Sequence, residues 1–414
     1  MAQEEAFLYK VYLTRTDGVT APCGILAAAV KGNVRDQRVL SEFRYDAAYL
    51  QERRGFALDP YALPLQAATH AFSGGLPLVV EDALPDAWGR AIIARDYNLA
   101  PWDCHPASLL RYLRNPLGAL SFAPMVRGRA ARDLPDAPIP QLSDLAGVEQ
   151  NIEEWEGRNL SREVIAAIRA GSSLGGARPK VLVQEGGCGW IAKFPSREDD
   201  FDVVRSEYVC LAIARASGLT VPEHRLIAVN AKPVLLVRRF DESASGRWHM
   251  ASMKTLMTGR NVPSSYVGMS AVVRELSAAV AEDGVRLFRW MLVNVVVGNI
   301  DDHLKNFSML RDDGGWLLSP AYDITPATLA NEGYGGRDHS INFDSRNSPP
   351  GRDEVVQIGR DMGLTRHQVK ESMTAVRDAV EGARGWLGEV LDARNAARFA
   401  QVLQRGVAGM GLGG

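Results

Sequence analysis

Hydrophobic and polar positions alternate near the beginning of the chain and take on a helical spacing towards its end. Residues 8–13 show the alternation of a half-buried strand, whereas residues 61–70 and 86–97 show helical spacing. Helical spacing of apolar residues returns in the last part of the chain, in residues 352–363, 365–382 and 384–405. The pattern predicts a strand-rich N-terminal part and a helical C-terminal part, which together make an α+β fold.

A polar segment that contains several Pro and Asp residues, 127–141, follows the N-terminal part, and its composition is typical of a connector. We expect the chain to divide into an N-terminal subdomain, a connector, a strand-rich small lobe and an all-helical C-terminal lobe. The expected bounds of these regions are 1–125, 126–164, 165–245 and 246–414.

The most informative motif follows a nearly all-apolar segment, residues 284–297, which predicts a buried helix that ends at Gly298. Directly after it, Asn-Ile-Asp-Asp-His-Leu-Lys-Asn places Asp301 five residues before Asn306. A phosphoryl-transfer site needs a carboxylate that orients the acceptor hydroxyl and oxygen atoms that hold magnesium. The spacing alone also fits an ordinary polar loop, but its position at the end of a rigid helix favours catalysis.

A further carboxylate follows at the far side of a predicted hairpin. Residues 307–310 and 316–318 are short apolar segments, and the Asp-Asp-Gly-Gly between them is typical of a turn. The chain therefore doubles back, and we expect Asp323 to lie near Asn306. A candidate base and two candidate magnesium ligands then converge.

The region before this motif contains a glycine-rich segment, residues 171–180, whose small side chains let backbone N–H groups approach phosphate oxygens. Alone, it fits a flexible turn better. Two predicted strands follow, and the second carries Lys193 between apolar neighbours. The next predicted helix offers Glu207, so we expect Lys193 and Glu207 to form the ion pair that orients phosphates in a kinase small lobe.

An apolar strand, residues 234–237, then runs into Arg238-Arg239-Phe240-Asp241. The backbone of Arg238 and Phe240 is a candidate for contact with an adenine edge, although a buried strand that ends in a polar turn explains the local pattern equally well. The order of the motifs along the chain favours the adenine-binding hinge over the ordinary buried strand. Glycine-rich loop, lysine strand, acidic helix, hinge strand, catalytic loop and metal-binding Asp follow one another as in a protein kinase, which predicts a protein-kinase-like two-lobe fold.

In these motifs the chain resembles the HipA family of bacterial toxin serine/threonine kinases, over essentially its whole length. The segments that carry the resemblance are Phe43-x-Tyr45-x-x-x-Tyr49-Leu50, Leu84-Pro85-Asp86, a Ser-x-Gly-Gly-Ala loop, Ile191-Ala192-Lys193-Phe194-Pro195, Arg239-Phe240-Asp241, Asp301-x-His303-x-Lys305-Asn306-Phe307 and Tyr322-Asp323-Ile324.

The resemblance implies a role for each matching residue. Asp301 would accept the proton of the substrate hydroxyl, Asn306 and Asp323 would hold Mg²⁺, and Lys193 would contact the phosphates of ATP. Ser173 falls where the family carries an autophosphorylated serine that switches the kinase off. The remaining residues implied to bind the nucleotide are Gly175, Gly176, Ala177, Arg178, Pro179 and Lys180 around the triphosphate, Arg238, Arg239 and Phe240 at the adenine, and His303, Lys305 and Tyr322 along the pocket.

The sequence departs from the family pattern at two of these places. Pro179 removes one backbone donor from the loop, and Asp302 stands where the family often has glycine. Asp302 leaves the assignment of the base open between Asp301 and Asp302, although the spacing to Asn306 favours Asp301. Adjacent Ser172 is likewise an alternative to Ser173 as the modified residue.

The resemblance also implies partners. We expect a HipB-like helix-turn-helix antitoxin, contact with DNA only through that antitoxin, and a protein substrate, for which an aminoacyl-tRNA synthetase is the leading expectation. The alternatives are a small-molecule kinase of kinase-like fold and a catalytically silent co-repressor. The intact Asp301, Asn306, Asp323 and Lys193 argue against a silent protein.

Composition agrees with an intracellular enzyme. A net charge of −2 and a pI near 6.4 give no electrostatic reason to expect direct nucleic-acid binding. The cysteines lack CxxC spacing and are expected to be free thiols, and the acidic N-terminus lacks the apolar run of a signal peptide. We expect a cytoplasmic protein without a membrane span. Isolated histidines are expected on the surface or at caps, and these are His105, His224, His249, His367 and, in a mobile surface loop, His339.

Overall fold

The structure is a computed structural model that describes residues 3–33, 36–126, 129–130, 139–156, 178–197, 199–329 and 338–412. The strands in these ranges form a six-stranded, a four-stranded and a three-stranded sheet. Every strand pairing between neighbours in these sheets is antiparallel.

The N-terminal subdomain is built on the six-stranded sheet, in the order β4-β3-β2-β1-β5-β6. In β1 the side chains of Phe7, Tyr9, Val11 and Leu13 are buried while their neighbours are more exposed, which confirms the alternation expected for residues 8–13. The strands are β1 Gln3–Thr14, β2 Thr20–Asn33, β3 Asp36–Tyr45, β4 Thr69–Phe72, β5 Leu120–Val126 and β6 Arg129–Ala130.

The helix expected at residues 61–70 is wrong. Pro64 lies within it and supplies no N–H for a helical hydrogen bond. The side chain of Asp59 instead accepts from the N–H groups of Tyr61 and Ala62 and holds a turn. The expected helix at 86–97 is confirmed as α3, and the helices of this region are α1 Ala47–Gln51, α2 Leu78–Glu81, α3 Ala87–Asp96 and α4 Pro106–Leu109.

The small lobe is the four-stranded sheet in the order β7-β8-β10-β9, with helices on its surface. Its strands alternate apolar side chains towards a cluster that includes Val181, Trp190 and Leu236. The elements of the lobe are α5 Leu145–Glu156, β7 Lys180–Glu185, β8 Cys188–Lys193, α6 Val203–Ala216, β9 His224–Val229 and β10 Lys232–Arg238.

The C-terminal lobe is mainly helical but is not all helical, because the three-stranded sheet β11-β12-β13 lies within it. The predicted hairpin forms two of these strands and is confirmed. The elements of the lobe are β11 His249–Ser252, α7 Met253–Arg260, α8 Tyr266–Leu276, α9 Val280–Val297, β12 Ser308–Asp312, β13 Gly315–Leu318, α10 Arg352–Asp361, α11 Arg366–Arg384, α12 Leu387–Val390 and α13 Ala393–Gly409.

The last helices confirm the apolar spacing only in part. Residues 352–363 and 365–382 form α10 and α11 as expected, but residues 384–405 are divided between α12 and α13. The division occurs at Asp392, whose side chain accepts from the N–H of Asn395 at 2.8 Å and begins a new helix there.

Helix α9 runs through the core of the C-terminal lobe, with Trp290 and its apolar neighbours buried. It ends at Gly298, as expected, in the left-handed conformation with φ +70°. A side chain there would place its Cβ 2.2 Å from Thr328 Oγ1, so glycine is required on both counts. The helix end fixes where the candidate catalytic loop, residues 299–306, begins.

Candidate active site

Lys193 lies at the end of β8 and points between two carboxylates. Its Nζ atom is 2.5 Å from Glu207 Oε1 and 2.8 Å from Asp323 Oδ1. The expected pair of Lys193 with Glu207 is confirmed. Glu207 is positioned by α6, which begins where the side chain of Asp202 caps the N–H of Arg205 at 2.9 Å.

Asp323 has an unusual backbone for a residue with a side chain. Its φ of +53° lies in the left-handed region, which costs about 1–3 kcal/mol and persists only where surrounding contacts impose it. Burial would raise the pKa of its carboxyl group, but the positive charges of Lys193 and Lys180 lower that pKa to about 2. Asp323 is therefore held as an anion among cations, in a geometry that the fold maintains at a cost.

The candidate catalytic loop brings Asp301 and Asn306 together. The Nδ2 atom of Asn306 donates to the backbone oxygen of Asp301 at 2.9 Å, and this use of its nitrogen leaves the amide oxygen as the possible ligand atom. The side chain of Asp301 is exposed. Desolvation by the surrounding protein raises the pKa of Asp301, and the nearby carboxylate of Asp323 acts in the same direction. Tyr322, the residue before Asp323, donates through Oη to the backbone oxygen of Lys305, so the Asp323 segment lies against the loop that carries Asp301.

Asp302 differs sharply from its neighbour Asp301. Its side chain is fully buried, and its oxygens accept hydrogen bonds from Tyr266 Oη at 2.6 Å, from His339 Nδ1 at 2.8 Å and from the Ser340 N–H at 2.9 Å. A carboxylate enclosed in this way holds the loop and cannot reach a substrate hydroxyl. The geometry favours Asp301 as the candidate base.

Sequence reasoning missed the support that Asp302 receives. The expectation that His339 lies in a mobile surface loop is wrong, because its side chain is 1% exposed and hydrogen-bonded to Asp302. Tyr266 and Asn294 extend the network, since Asn294 Nδ2 donates to Tyr266 Oη at 2.9 Å. The only available signal was the second carboxylate in the motif, because Asp302 would require partners if the fold buried it.

The glycine-rich loop lies only partly within the described residues. Ser172, Ser173, Gly175, Gly176 and Ala177 fall outside them. In the part of the loop that the structure describes, Arg178 Nε donates to Asp199 Oδ1 at 2.8 Å, and Lys180 Nζ donates to Asp86 Oδ2 at 3.1 Å.

The hinge segment is held by backbone and side-chain contacts. The N–H of Arg238 donates to Glu223 O at 2.8 Å, and that of Arg239 donates to Gly189 O at 2.9 Å, so these two donors are already used. The Arg239 side chain is buried and forms a bidentate pair with Asp241, at 2.9 and 2.6 Å. Arg239 therefore fixes the hinge segment through its side chain, and the backbone N–H groups of Arg238 and Arg239 are not available to an adenine edge.

The residues expected along the pocket surround this hinge. The ring of Phe240 lies 5.0 Å from that of Tyr322. Tyr322 Oη donates to the backbone oxygen of Lys305 at 2.9 Å and lies 2.8 Å from Ser308 Oγ. The side chains of His303 and Lys305 are exposed beside it. Tyr322 thus joins the hinge to the candidate catalytic loop.

The donor set fits magnesium. Within the described ranges, His, Cys, Asp and Glu side chains do not gather in groups of three or more suited to a metal ion. The candidate ligands are instead the amide of Asn306 and the carboxylate of Asp323. Mg²⁺ commonly takes one or two protein oxygens and completes its shell with phosphate and water.

The cysteines are free. The surface location expected for His249 is wrong, because this side chain is 1% exposed and its Nε2 atom lies 2.8 Å from Leu58 O. His105 caps a helix, as expected, and is also buried. Among the helices that the structure describes, none has the length and apolarity needed to cross a bilayer.

Comparison with known proteins identifies related sequences in both halves of the chain. The model of the HipA-like C-terminal domain matches residues 172–384, and that of the HipA N-terminal domain matches residues 26–123. The protein Y4mE of Sinorhizobium fredii, named as a candidate kinase, is 31% identical over 146 residues, which are 32% of this chain and 33% of that protein. Y4dM of the same organism, also named as a candidate kinase, is 26% identical over 234 residues, 52% of this chain and 56% of that protein.

The chain therefore aligns with about a third and about half of the length of these curated relatives. A solved structure of HipA from Shewanella oneidensis MR-1, in complex with HipB and operator DNA, has a TM-score of 0.70 and 18% sequence identity to this chain. The match covers 97% of each chain. At this identity the likeness concerns the fold, and it confirms the expected two-lobe architecture with an N-terminal subdomain.

Proposed function

The chain belongs to the HipA-like kinase family, and from this premise we propose that it is an ATP-dependent protein serine/threonine kinase that acts as a growth-arresting toxin. The observation that carries the proposal is the convergence of Lys193, Glu207 and Asp323 beside the loop that holds Asp301 and Asn306. A phosphoryl-transfer site consists of these parts: a fixed cation, magnesium ligands and a carboxylate for the acceptor.

The nucleotide would lie between the two lobes. Lys193 binds its phosphates and is kept in place by Glu207, while Phe240 and Tyr322 border the adenine. The family resemblance implies that residues 175–180 would wrap the triphosphate, and the exposed His303 and Lys305 would line the pocket. Bound Mg²⁺, held by Asn306 and Asp323, would neutralise charge on the phosphates.

Asp301 orients the hydroxyl of the substrate serine and accepts its proton as the hydroxyl oxygen bonds to the γ-phosphorus and the bond to ADP breaks. Desolvation raises the pKa of Asp301 and makes it a better proton acceptor than an ordinary aspartate. Asp302 keeps the loop in position through its buried hydrogen bonds.

Regulation and partners are part of the proposal. The relative from Shewanella oneidensis was solved with HipB and operator DNA. By analogy we infer a HipB-like helix-turn-helix antitoxin for this chain, with DNA contacted through the antitoxin. Autophosphorylation of Ser173 would add about −1.5 to −2 charges beside the triphosphate and so oppose ATP binding. The proposed substrate is an aminoacyl-tRNA synthetase in the cytoplasm.

Nucleotide binding provides the first test. Titration calorimetry with a non-hydrolysable ATP analogue should detect Mg²⁺-dependent binding to the wild-type protein and its loss in Asp323→Ala. A matched control is Asp313→Ala, which changes an exposed carboxylate in the neighbouring hairpin turn. Magnesium-dependent binding that survives in Asp323→Ala would remove Asp323 from the site.

Cells provide the second test. Phosphoproteomes of cells that express the wild-type protein or Asp301→Asn should differ at a serine of an aminoacyl-tRNA synthetase. Growth arrest without any Asp301-dependent phosphopeptide would refute the protein-kinase assignment. If purified protein labelled a small alcohol from cell extract in place of protein, the small-molecule kinase would be the better interpretation.

A further inference from the structure

A second buried lysine lies beside Lys193. Lys180 begins β7 and is the cross-strand partner of Lys193 in β8. Its side chain is buried, the charge of Lys193 lowers its pKa, and its own charge lowers the pKa of Asp323. The two ammonium groups therefore belong to one electrostatic cluster at the proposed phosphate site.

The carboxylates that hold the two lysines come from different parts of the molecule. Lys193 is held by Glu207 and Asp323, which belong to the region matched by the HipA-like C-terminal domain. Lys180 is held at 3.1 Å by Asp86, which belongs to the region matched by the HipA N-terminal domain. The N-terminal subdomain thus reaches into the candidate active site of the kinase lobes.

Asp86 is fixed in two ways. Its Oδ1 atom caps α3 by accepting from the N–H of Gly89 at 2.7 Å, while Oδ2 faces Lys180. Four residues earlier, Asp82 accepts from Ser252 Oγ at 2.7 Å and from Thr255 Oγ1 at 2.7 Å in the C-terminal lobe. The segment 82–86 is therefore anchored on one lobe and presents a carboxylate to the other.

A buried ammonium group needs such a partner. Burial lowers the pKa of Lys180, and the charge of Asp86 opposes that effect. Without a carboxylate at this distance, Lys180 would lose its proton more readily or turn towards other anions in the cluster. Either change would remove a directed positive charge from the phosphate site.

We propose that Asp86 is a positioning residue of the nucleotide site, which keeps Lys180 directed at the phosphates and makes the N-terminal subdomain a component of ATP binding. This inference rests on the proposed function, because it requires that a nucleoside triphosphate binds beside Lys193. Because Lys180 faces the phosphates, the inference predicts weaker binding only of ligands that carry phosphate groups, and no change in the affinity for the nucleoside adenosine.

Asp86→Asn separates the two roles of the residue. Asparagine caps a helix as well as aspartate does, so α3 should remain capped while the charge that faces Lys180 is lost. Isothermal titration should find that ADP binds about 10-fold to 100-fold more weakly, the range expected for one lost charge-assisted contact, while adenosine affinity changes by less than about twofold. Asp86→Ser, which also retains a capping oxygen, should give the same result.

Asp392→Asn is the matched control. Asp392 caps α13, and within the described residues it makes no contact with a lysine, so the affinities for ADP and adenosine should not change. Unchanged or tighter ADP binding in Asp86→Asn would overturn the proposal, since tighter binding would mean that Asp86 competes with phosphate for Lys180. An equal loss of ADP and adenosine would indicate a general structural role and would also overturn it.

The failure of this inference can be told apart from the failure of the proposed function. If Asp323→Ala abolishes ADP binding and Asp86→Asn does not weaken it, only the role of Asp86 is wrong. If Asp323→Ala binds ADP normally, the proposed site itself is wrong. In the unaltered protein, ADP should also slow amide hydrogen exchange in residues 82–92, and unchanged exchange there would contradict the coupling even if the variants proved unstable.

Discussion

Replacing Asp302 by asparagine should loosen the candidate catalytic loop without removing any group that touches substrate. The carboxylate accepts from the Ser340 N–H through Oδ1 and from Tyr266 Oη and His339 Nδ1 through Oδ2. Asparagine has the same shape but replaces one of these acceptor oxygens with an NH₂ group. Asp302→Asn therefore tests the hydrogen bonds and preserves the packing.

The magnitude follows from the contacts. The Ser340 N–H has no lone pair, so an amide NH₂ cannot replace Oδ1 opposite it. If the amide is turned over, the NH₂ group faces the phenol and the imidazole, and both contacts must rearrange. A hydrogen bond to a charged group contributes about 1.5–3 kcal/mol, and an unsatisfied buried donor costs about 1–3 kcal/mol. We expect a loss of about 3 kcal/mol in the free energy of opening the loop, which corresponds to roughly 100-fold faster exchange.

Hydrogen-exchange mass spectrometry measures this opening directly. Peptides that cover residues 299–306 and 338–343 should exchange faster in Asp302→Asn, whereas peptides from the N-terminal sheet should not change. Asp344→Asn is the control, because Asp344 is exposed and accepts from the N–H of Arg346 in its own turn. Wild-type protection of both segments in Asp302→Asn, or an equal loss in the control, would refute the reasoning.

Three further predictions concern the ion pairs and one buried histidine. Glu207→Gln leaves Lys193 with Asp323 as its only carboxylate partner among the described residues, so the rate of phosphoryl transfer in a steady-state assay should fall about 10-fold to 100-fold. The urea midpoint should change little, and an unchanged rate would contradict the role of the pair. Arg239→Gln leaves Asp241 buried without its bidentate partner and should lower the free energy of unfolding in urea by about 3–5 kcal/mol. The control Arg238→Gln loses an exposed contact with Glu223 and should lower it by about 0–1 kcal/mol. Burial lowers the pKa of His249 to about 4, below its ordinary value of about 6.5. The folded state is therefore stabilised fully by the neutral form of His249 above pH 6.5, and this contribution is lost as the pH falls towards 4. Between pH 7 and pH 5 the wild-type protein should lose about 2 kcal/mol more stability in urea than His249→Gln, and equal losses would contradict the assignment.

Local patterns in the sequence were sufficient for several parts of the site. Helix α9, its end at Gly298 and the hairpin that follows are each encoded within a few neighbouring residues, and all are present. The pairing of Lys193 with Glu207 was also accessible, because the next helix after a lysine-bearing strand supplies a partner in a kinase-like order of motifs. Pro64 explains why the helix expected at 61–70 does not form, and the cap at Asp392 explains why the helix expected at 384–405 is divided.

Contacts between distant parts of the chain were not accessible in the same way. Lys180 and Asp86 are 94 residues apart, and His339 and Asp302 are 37 residues apart. No periodicity or turn signal connects such residues, since their meeting depends on how the subdomain and lobes pack. The sequence shows only that Asp302 and Lys180 carry charge, and each needs a partner only because the fold buries it.

Transfer of the γ-phosphate is the most direct test of the central claim. Purified protein should be incubated with γ-³²P-labelled ATP, Mg²⁺ and an extract of cells that lack the gene, and labelled serine should be counted after acid hydrolysis. The account predicts labelled protein serine with the wild type and a loss of several orders of magnitude with Asp301→Asn, at nearly unchanged ATP affinity. Absence of labelled protein with the wild type, or undiminished labelling with Asp301→Asn, would contradict it.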